Sequence, residues 1–196
     1  MLTLFHPATG VVRVEGVSRS TNAILHPWLK EQITRIVATL PEAVRLSADQ
    51  NRARWERWQA GLTIKFTLLD DLPPLRMLLI WDNLTGHWNA ELLVWLMQQG
   101  VMVLFTPIAG SWLNLCESVQ RILVRRALSG QSFDSPESVM ASLEAVARGW
   151  NACSTPFVWG GRRKARRDRA KVRHRLSGSG GFTRRPIRRK WKESYS

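Results

Sequence analysis

Two unbroken apolar runs of strand length, with a helix between them, constrain this fold more than any other feature. Arg76-Met77-Leu78-Leu79-Ile80-Trp81 ends at Asp82, and Val101-Met102-Val103-Leu104-Phe105 follows Gly100. Runs with no polar alternation lack a solvent face, so both strands are expected to be buried on two sides. Between them Asn89 caps a helix over 89–99, and Gly100 ends it. Strand, helix, strand with two-sided burial predicts a right-handed parallel βαβ unit and an α/β fold.

The flanking segments read as follows. Residues 3–5 and 11–17 bracket Pro7-Ala8-Thr9-Gly10, and the second run alternates, with Val12 and Val14 on one face and Arg13 and Glu15 on the other. A half-buried β-hairpin is predicted there. Ile24, Leu25, Trp28, Leu29, Ile33, Ile36, Val37 and Leu40 recur at helical spacing over 20–40, with Pro27 expected in the first turn. A second helix is predicted over 43–60, and a short strand over 63–68. A helix over 111–128 is expected to turn Leu115, Val119, Ile122 and Leu123 to the sheet. Ser135-Pro136-Glu137 starts a last helix, running to about Trp150.

A chain of 196 residues is one domain, or one domain with a tail. It can bury roughly 70% of its unfolded surface, enough for a core without disulfides or metal. The two cysteines, Cys116 and Cys153, form no CxxC pair, which argues against a zinc module and a disulfide framework. They are expected to be small core residues, as are Trp28, Trp95, Trp112 and Trp150. Asp70-Asp71, before Pro73-Pro74, reads as a solvated loop. No apolar run approaches the length of a membrane span, and the N-terminal residues do not resemble a signal peptide. A cytosolic, nucleoid-associated protein is the expectation, with no membrane partner.

Charge divides the chain. Residues 1–159 hold 14 basic and 13 acidic side chains, whereas residues 160–196 hold 15 basic and 2 acidic. A nearly neutral body over 1–160 therefore carries a strongly basic tail over 161–196. Arginine outnumbers lysine 23 to 6, and its planar fork suits phosphate oxygens. Arg162, Arg163, Lys164, Arg166, Arg167, Arg169 and Lys171 are the candidate contacts to a nucleic-acid backbone. Ser177-Gly178-Ser179-Gly180-Gly181 reads as a flexible spacer. A merely solvated extension is the plainer reading of the tail. A membrane surface is disfavoured, because no apolar face accompanies the basic residues.

Asp82 stands at the carboxyl end of the first apolar strand, where ligands sit in open α/β sheets. Glu117 lies on the helix after the second, and the segment 106–112 returns the chain to the same sheet edge. Alone, Asp82 reads as a turn residue and Glu117 as part of a solvated helix face. Together, two carboxylates meeting at one edge suit a hard divalent ion.

These residues carry a resemblance. Trp81-Asp82-Asn83, His87, Thr106-Pro107, Ser111-Trp112-Leu113-Asn114 and Glu117 resemble the catalytic core of DDE-superfamily transposases, nearest the mariner-like bacterial insertion-sequence group. Thirty-four residues separate Asp82 from Glu117, matching that group's spacing between its second and third acidic residues. Asn151 followed by Pro156, Phe157 and Trp159 is similar to its closing motif. The resemblance spans roughly residues 2–160.

The resemblance implies a ribonuclease-H-like mixed sheet flanked by helices. It also implies Mg²⁺- or Mn²⁺-dependent cleavage and strand transfer on DNA. Asp82 and Glu117 are then catalytic metal ligands, and Asn83, His87 and Asn114 support them. The family's first Asp precedes the hairpin, but residues 1–17 contain no Asp. The expectation is thus an N-terminally truncated domain lacking the first strand and first carboxylate. It would bind metal weakly and cleave little or not at all alone, with an open strand edge inviting another chain. Its partners would be DNA and a second copy or an intact transposase. The competing reading is a non-catalytic DNA-binding remnant, and a weaker one is another ribonuclease-H-like nuclease.

Overall fold

The computed structural model describes residues 1–62, 65–82, 89–107 and 114–158. In chain order the elements are β1 (Leu2–His6), β2 (Val11–Glu15), α1 (Asn22–Thr39), α2 (Ala48–Gln59), β3 (Met77–Trp81), α3 (Ala90–Gln98), β4 (Val101–Phe105), α4 (Leu115–Leu128) and α5 (Pro136–Ala152). The fold is mixed α/β. β1 and β2 pair antiparallel, and β3 and β4 pair parallel with Met77 opposite Val101. The expected hairpin and βαβ unit are both present. They do not merge into one mixed sheet: among the described residues the two ladders stay separate, two strands each.

Local chemistry explains most boundaries. The Asn89 side chain accepts from the N–H of Leu92 at 2.9 Å and starts α3. Gly100 ends it at φ +74, where a side chain would collide with Arg76 and the Pro74 carbonyl. Ser135 and Ser138 form a reciprocal capping box at the start of α5, with Pro136 in the first turn. The Arg76 guanidinium donates to the carbonyls of Val37, Leu40 and Pro41 at 2.9–3.3 Å, placing a cation at the C-terminus of α1.

Several elements differ from expectation. Pro27 lies inside α1, because the Thr21 carbonyl already accepts from Ile24 and Leu25 and opens the helix earlier. A proline there forgoes one i→i−4 bond, so tertiary packing must hold the turn. α2 starts at Ala48 rather than 43, since Ser47 and Gln50 build a capping box. Residues 65–68 form no strand. The Gln59 side chain instead bonds both the N–H and C=O of Phe66, at 3.1 and 3.3 Å. Ile122 faces solvent, 42% exposed, because Val119, Leu123 and Ala127 make the buried stripe of α4. Cys153 is exposed and Cys116 half-buried, so neither is a fully buried core residue.

Three apolar clusters hold the layers together. The largest joins Leu2 of β1, Trp28, Leu29 and Ile33 of α1, Leu79 and Trp81 of β3, Leu92 and Leu96 of α3, and Val101 and Val103 of β4. A second joins Val12 of β2 to Val119, Leu123 and Ala147 of the α4–α5 pair. The third centres on Trp55, fully buried against Leu72, Met97 and Met102. Trp55 also donates to the Pro73 carbonyl at 2.9 Å, and Asn51 donates to Leu72 at 2.5 Å. Side chains of α2 thereby satisfy the backbone of the 66–73 segment in place of a strand partner. Trp28 is buried as expected, Trp95 and Trp150 are half-buried, and Trp112 lies outside the described residues. Asp70 and Asp71 are both exposed.

Candidate active site

Asp82 is the first residue after β3, half-buried. The Thr106 N–H donates to the Trp81 carbonyl at 2.8 Å, extending the parallel ladder to the residue just before it. The backbone of Asp82 is thus carried by a strand end that two ladder partners hold. Thr106 itself is buried, 6% exposed.

Glu117 sits in the first turn of α4, also half-buried. Asn114 is the N-cap of that helix: its Oδ1 accepts from the Cys116 N–H at 3.1 Å. The cap sets where the helix begins and therefore which residue occupies the third position. An acidic residue there also faces the positive end of the helix dipole.

Cys116 links the two carboxylates. Its thiol donates to the Thr3 carbonyl of β1 at 3.3 Å and pins the start of α4 to that strand. Burial, then the negative charge of Asp82, then that of Glu117, push its pKa from 9.0 up to about 11. A thiol that feels both carboxylates locates them on either side of it. The expected convergence of Asp82 and Glu117 therefore has a physical reporter. The sequence reading passed over Cys116; its place just before Glu117, on a capped first turn, was the available signal.

Two carboxylates offer the hard oxygen donors that Mg²⁺ and Mn²⁺ take, with remaining positions left to water and substrate phosphate. Cys116 stays protonated at neutral pH and adds no soft thiolate to the set. Asp82 and Glu117 fit a hard divalent ion on donor chemistry. Among the described residues no group of three His, Cys, Asp or Glu side chains is arranged to hold a metal.

Asn83 and His87 lie outside the described residues, as do Arg162, Arg163, Lys164, Arg166, Arg167, Arg169 and Lys171. Asn151 acts at a distance from the carboxylates. Its Oδ1 accepts from the Val12 N–H at 2.9 Å and its Nδ2 donates to the Val12 carbonyl at 2.7 Å. One side-chain amide closes the outer edge of β2 as a strand partner would. The Trp150 indole adds a bond to the Gly10 carbonyl at 2.8 Å. Among the described residues no helix is long and apolar enough to cross a membrane. No family model matches the chain, and no curated protein or solved structure does either.

Proposed function

We propose that this chain is a DDE-type transposase domain of ribonuclease-H-like ancestry, which acts on DNA phosphodiesters with Asp82 and Glu117 as metal ligands. One observation carries the reading: a strand-end carboxylate and a helix-first-turn carboxylate act on the same thiol, Cys116. The element order supports it, with a hairpin, a parallel βαβ unit and then the helix bearing Glu117.

Each residue has a defined task under this reading. The β3–β4 ladder, through Thr106, presents Asp82 at the sheet edge. The Asn114 cap presents Glu117 opposite it. A divalent ion held there supplies Lewis-acid chemistry that activates water and offsets charge on a leaving 3′ oxygen. Two carboxylates hold such an ion less firmly than three, so cleavage by this chain alone is slow at best. Asn83 and His87 are proposed as supporting residues and the basic tail as the DNA contact.

Nicking of supercoiled plasmid in Mg²⁺ or Mn²⁺ tests the reading. Slow, Mn²⁺-dependent nicking is expected, removed by Asp82→Asn and by Glu117→Gln. Nicking that survives in both variants contradicts the assignment. The charge of residues 160–196, 15 basic against 2 acidic, favours one second reading: a non-catalytic DNA-binding remnant. Tight DNA binding with no nicking above the variants would select it.

A further inference from the structure

Every strand has two edges, and the ladders of this fold leave two of them open. The Met77 N–H donates to the Gly100 carbonyl at 3.2 Å, and the Thr106 N–H donates to that of Trp81 at 2.8 Å. In a parallel ladder this parity turns the backbone groups of Met77, Leu79 and Trp81 toward β4. Those of Leu78 and Ile80 point the other way, and among the described residues they have no hydrogen-bond partner. Ile80 is 53% exposed beside that edge.

β1 repeats the pattern. Asn151 takes the outward N–H and C=O of Val12, so its cross-strand neighbour Phe5 also turns its backbone outward. On that side of β1 the Thr3 carbonyl accepts from Cys116 and the Met1 carbonyl from Gln120. The N–H groups of Thr3 and Phe5 have no partner among the described residues, and the buried Thr3 hydroxyl has none either. The outer edge of β2, by contrast, is closed by Asn151 and by Glu144, which accepts from the Gly16 N–H at 3.1 Å.

The two open edges lie on one side of the molecule. Cys116 bonds the β1 edge and feels Asp82 at the end of β3. Helix α1 packs under both strands in a single cluster, with Leu2 from one and Leu79 and Trp81 from the other. We propose that β1 and β3 flank a slot that accepts one extended apolar segment from outside residues 1–196, pairing with both edges to join the ladders into one sheet. The occupant's chemistry follows from its surroundings. Extended backbone is needed to answer the N–H and C=O groups at Thr3, Phe5, Leu78 and Ile80. Both its faces would be covered, by α1 below and by the α4 side above, so it should be apolar at every position, as β3 and β4 are. About five residues, roughly 17 Å, match the neighbouring strands. The inference rests on backbone edges and is independent of any metal at Asp82 and Glu117.

Hydrogen exchange on the full chain, read residue by residue, tests it. The probe is a synthetic peptide with a five-residue Val/Ile run between lysine pairs. The amides of Thr3, Phe5, Leu78 and Ile80 should exchange fast alone and about tenfold or more slower with peptide. A peptide with proline at its centre should not slow them. Ile80→Pro should keep the β3–β4 ladder, which does not use that N–H, and lose the slowing along β3. Amides already protected in the chain alone would overturn the proposal, since a second copy or another contact would then close the edges. Equal slowing by both peptides would overturn it too, and that comparison stands even if Ile80→Pro unfolds.

Discussion

Cys116 is the residue whose behaviour reports most directly on its surroundings. Its thiol ionises near 11 rather than 9.0, because it is buried and lies beside Asp82 and Glu117. The folded state therefore holds the proton more tightly than the unfolded chain. The stability that this supplies is complete below about pH 9 and declines as pH rises toward about 11. Denaturation midpoints should fall across that window, and Cys116→Ser should flatten the fall. At neutral pH alkylation should mark the exposed Cys153 first and leave Cys116 nearly untouched. Fast labelling of Cys116 would remove the physical reporter that links the carboxylates.

The β1–β2 hairpin shows how side chains stand in for missing strand partners. Asn151 on α5 supplies both bonds that Val12 would otherwise make to a third strand. Asn151→Ala leaves two half-buried backbone groups unanswered and should cost about 1–3 kcal/mol in urea denaturation. Asn151→Asp keeps an acceptor for the Val12 N–H but loses the donor, so an intermediate loss is expected. A change within about 0.5 kcal/mol for the alanine variant would mean that water replaces the amide without loss. Elements with strong one-dimensional signals were legible in the sequence. β3, α3 and β4 follow from unbroken apolar runs and a capped helix, and α5 follows from Ser135 and Pro136. Elements decided by contacts distant in sequence were not. The segment after α2 takes its partners from Asn51, Trp55 and Gln59 side chains, which periodicity does not reveal. The buried face of α4 is set by α5 and the hairpin, so Ile122 turned out where a sheet-facing position was expected.

Charge separates the molecule into a nearly neutral body and a tail of 15 basic and 2 acidic residues. If that tail contacts about 6–10 phosphates, DNA affinity should fall roughly 10³–10⁵-fold between about 50 and 200 mM salt. Deleting residues 160–196 should remove most of that dependence, and a salt-insensitive affinity would exclude the tail as the contact. At the level of the site, Asp82 and Glu117 were legible because strand ends and helix starts are where α/β sheets gather ligands. Their shared effect on Cys116 was not, since it needs β3, α4 and β1 to be placed together. Asn114 carries the spacing motif and also has a local task, as the cap that positions Glu117.

Manganese binding to the full chain is the measurement closest to the central claim, because it asks about the paired carboxylates without requiring turnover. The account predicts weak binding to the parent, reduced roughly tenfold or more by either Asp82→Asn or Glu117→Gln, with little further loss in the double variant. Variants that stay folded and bind as the parent does would contradict it.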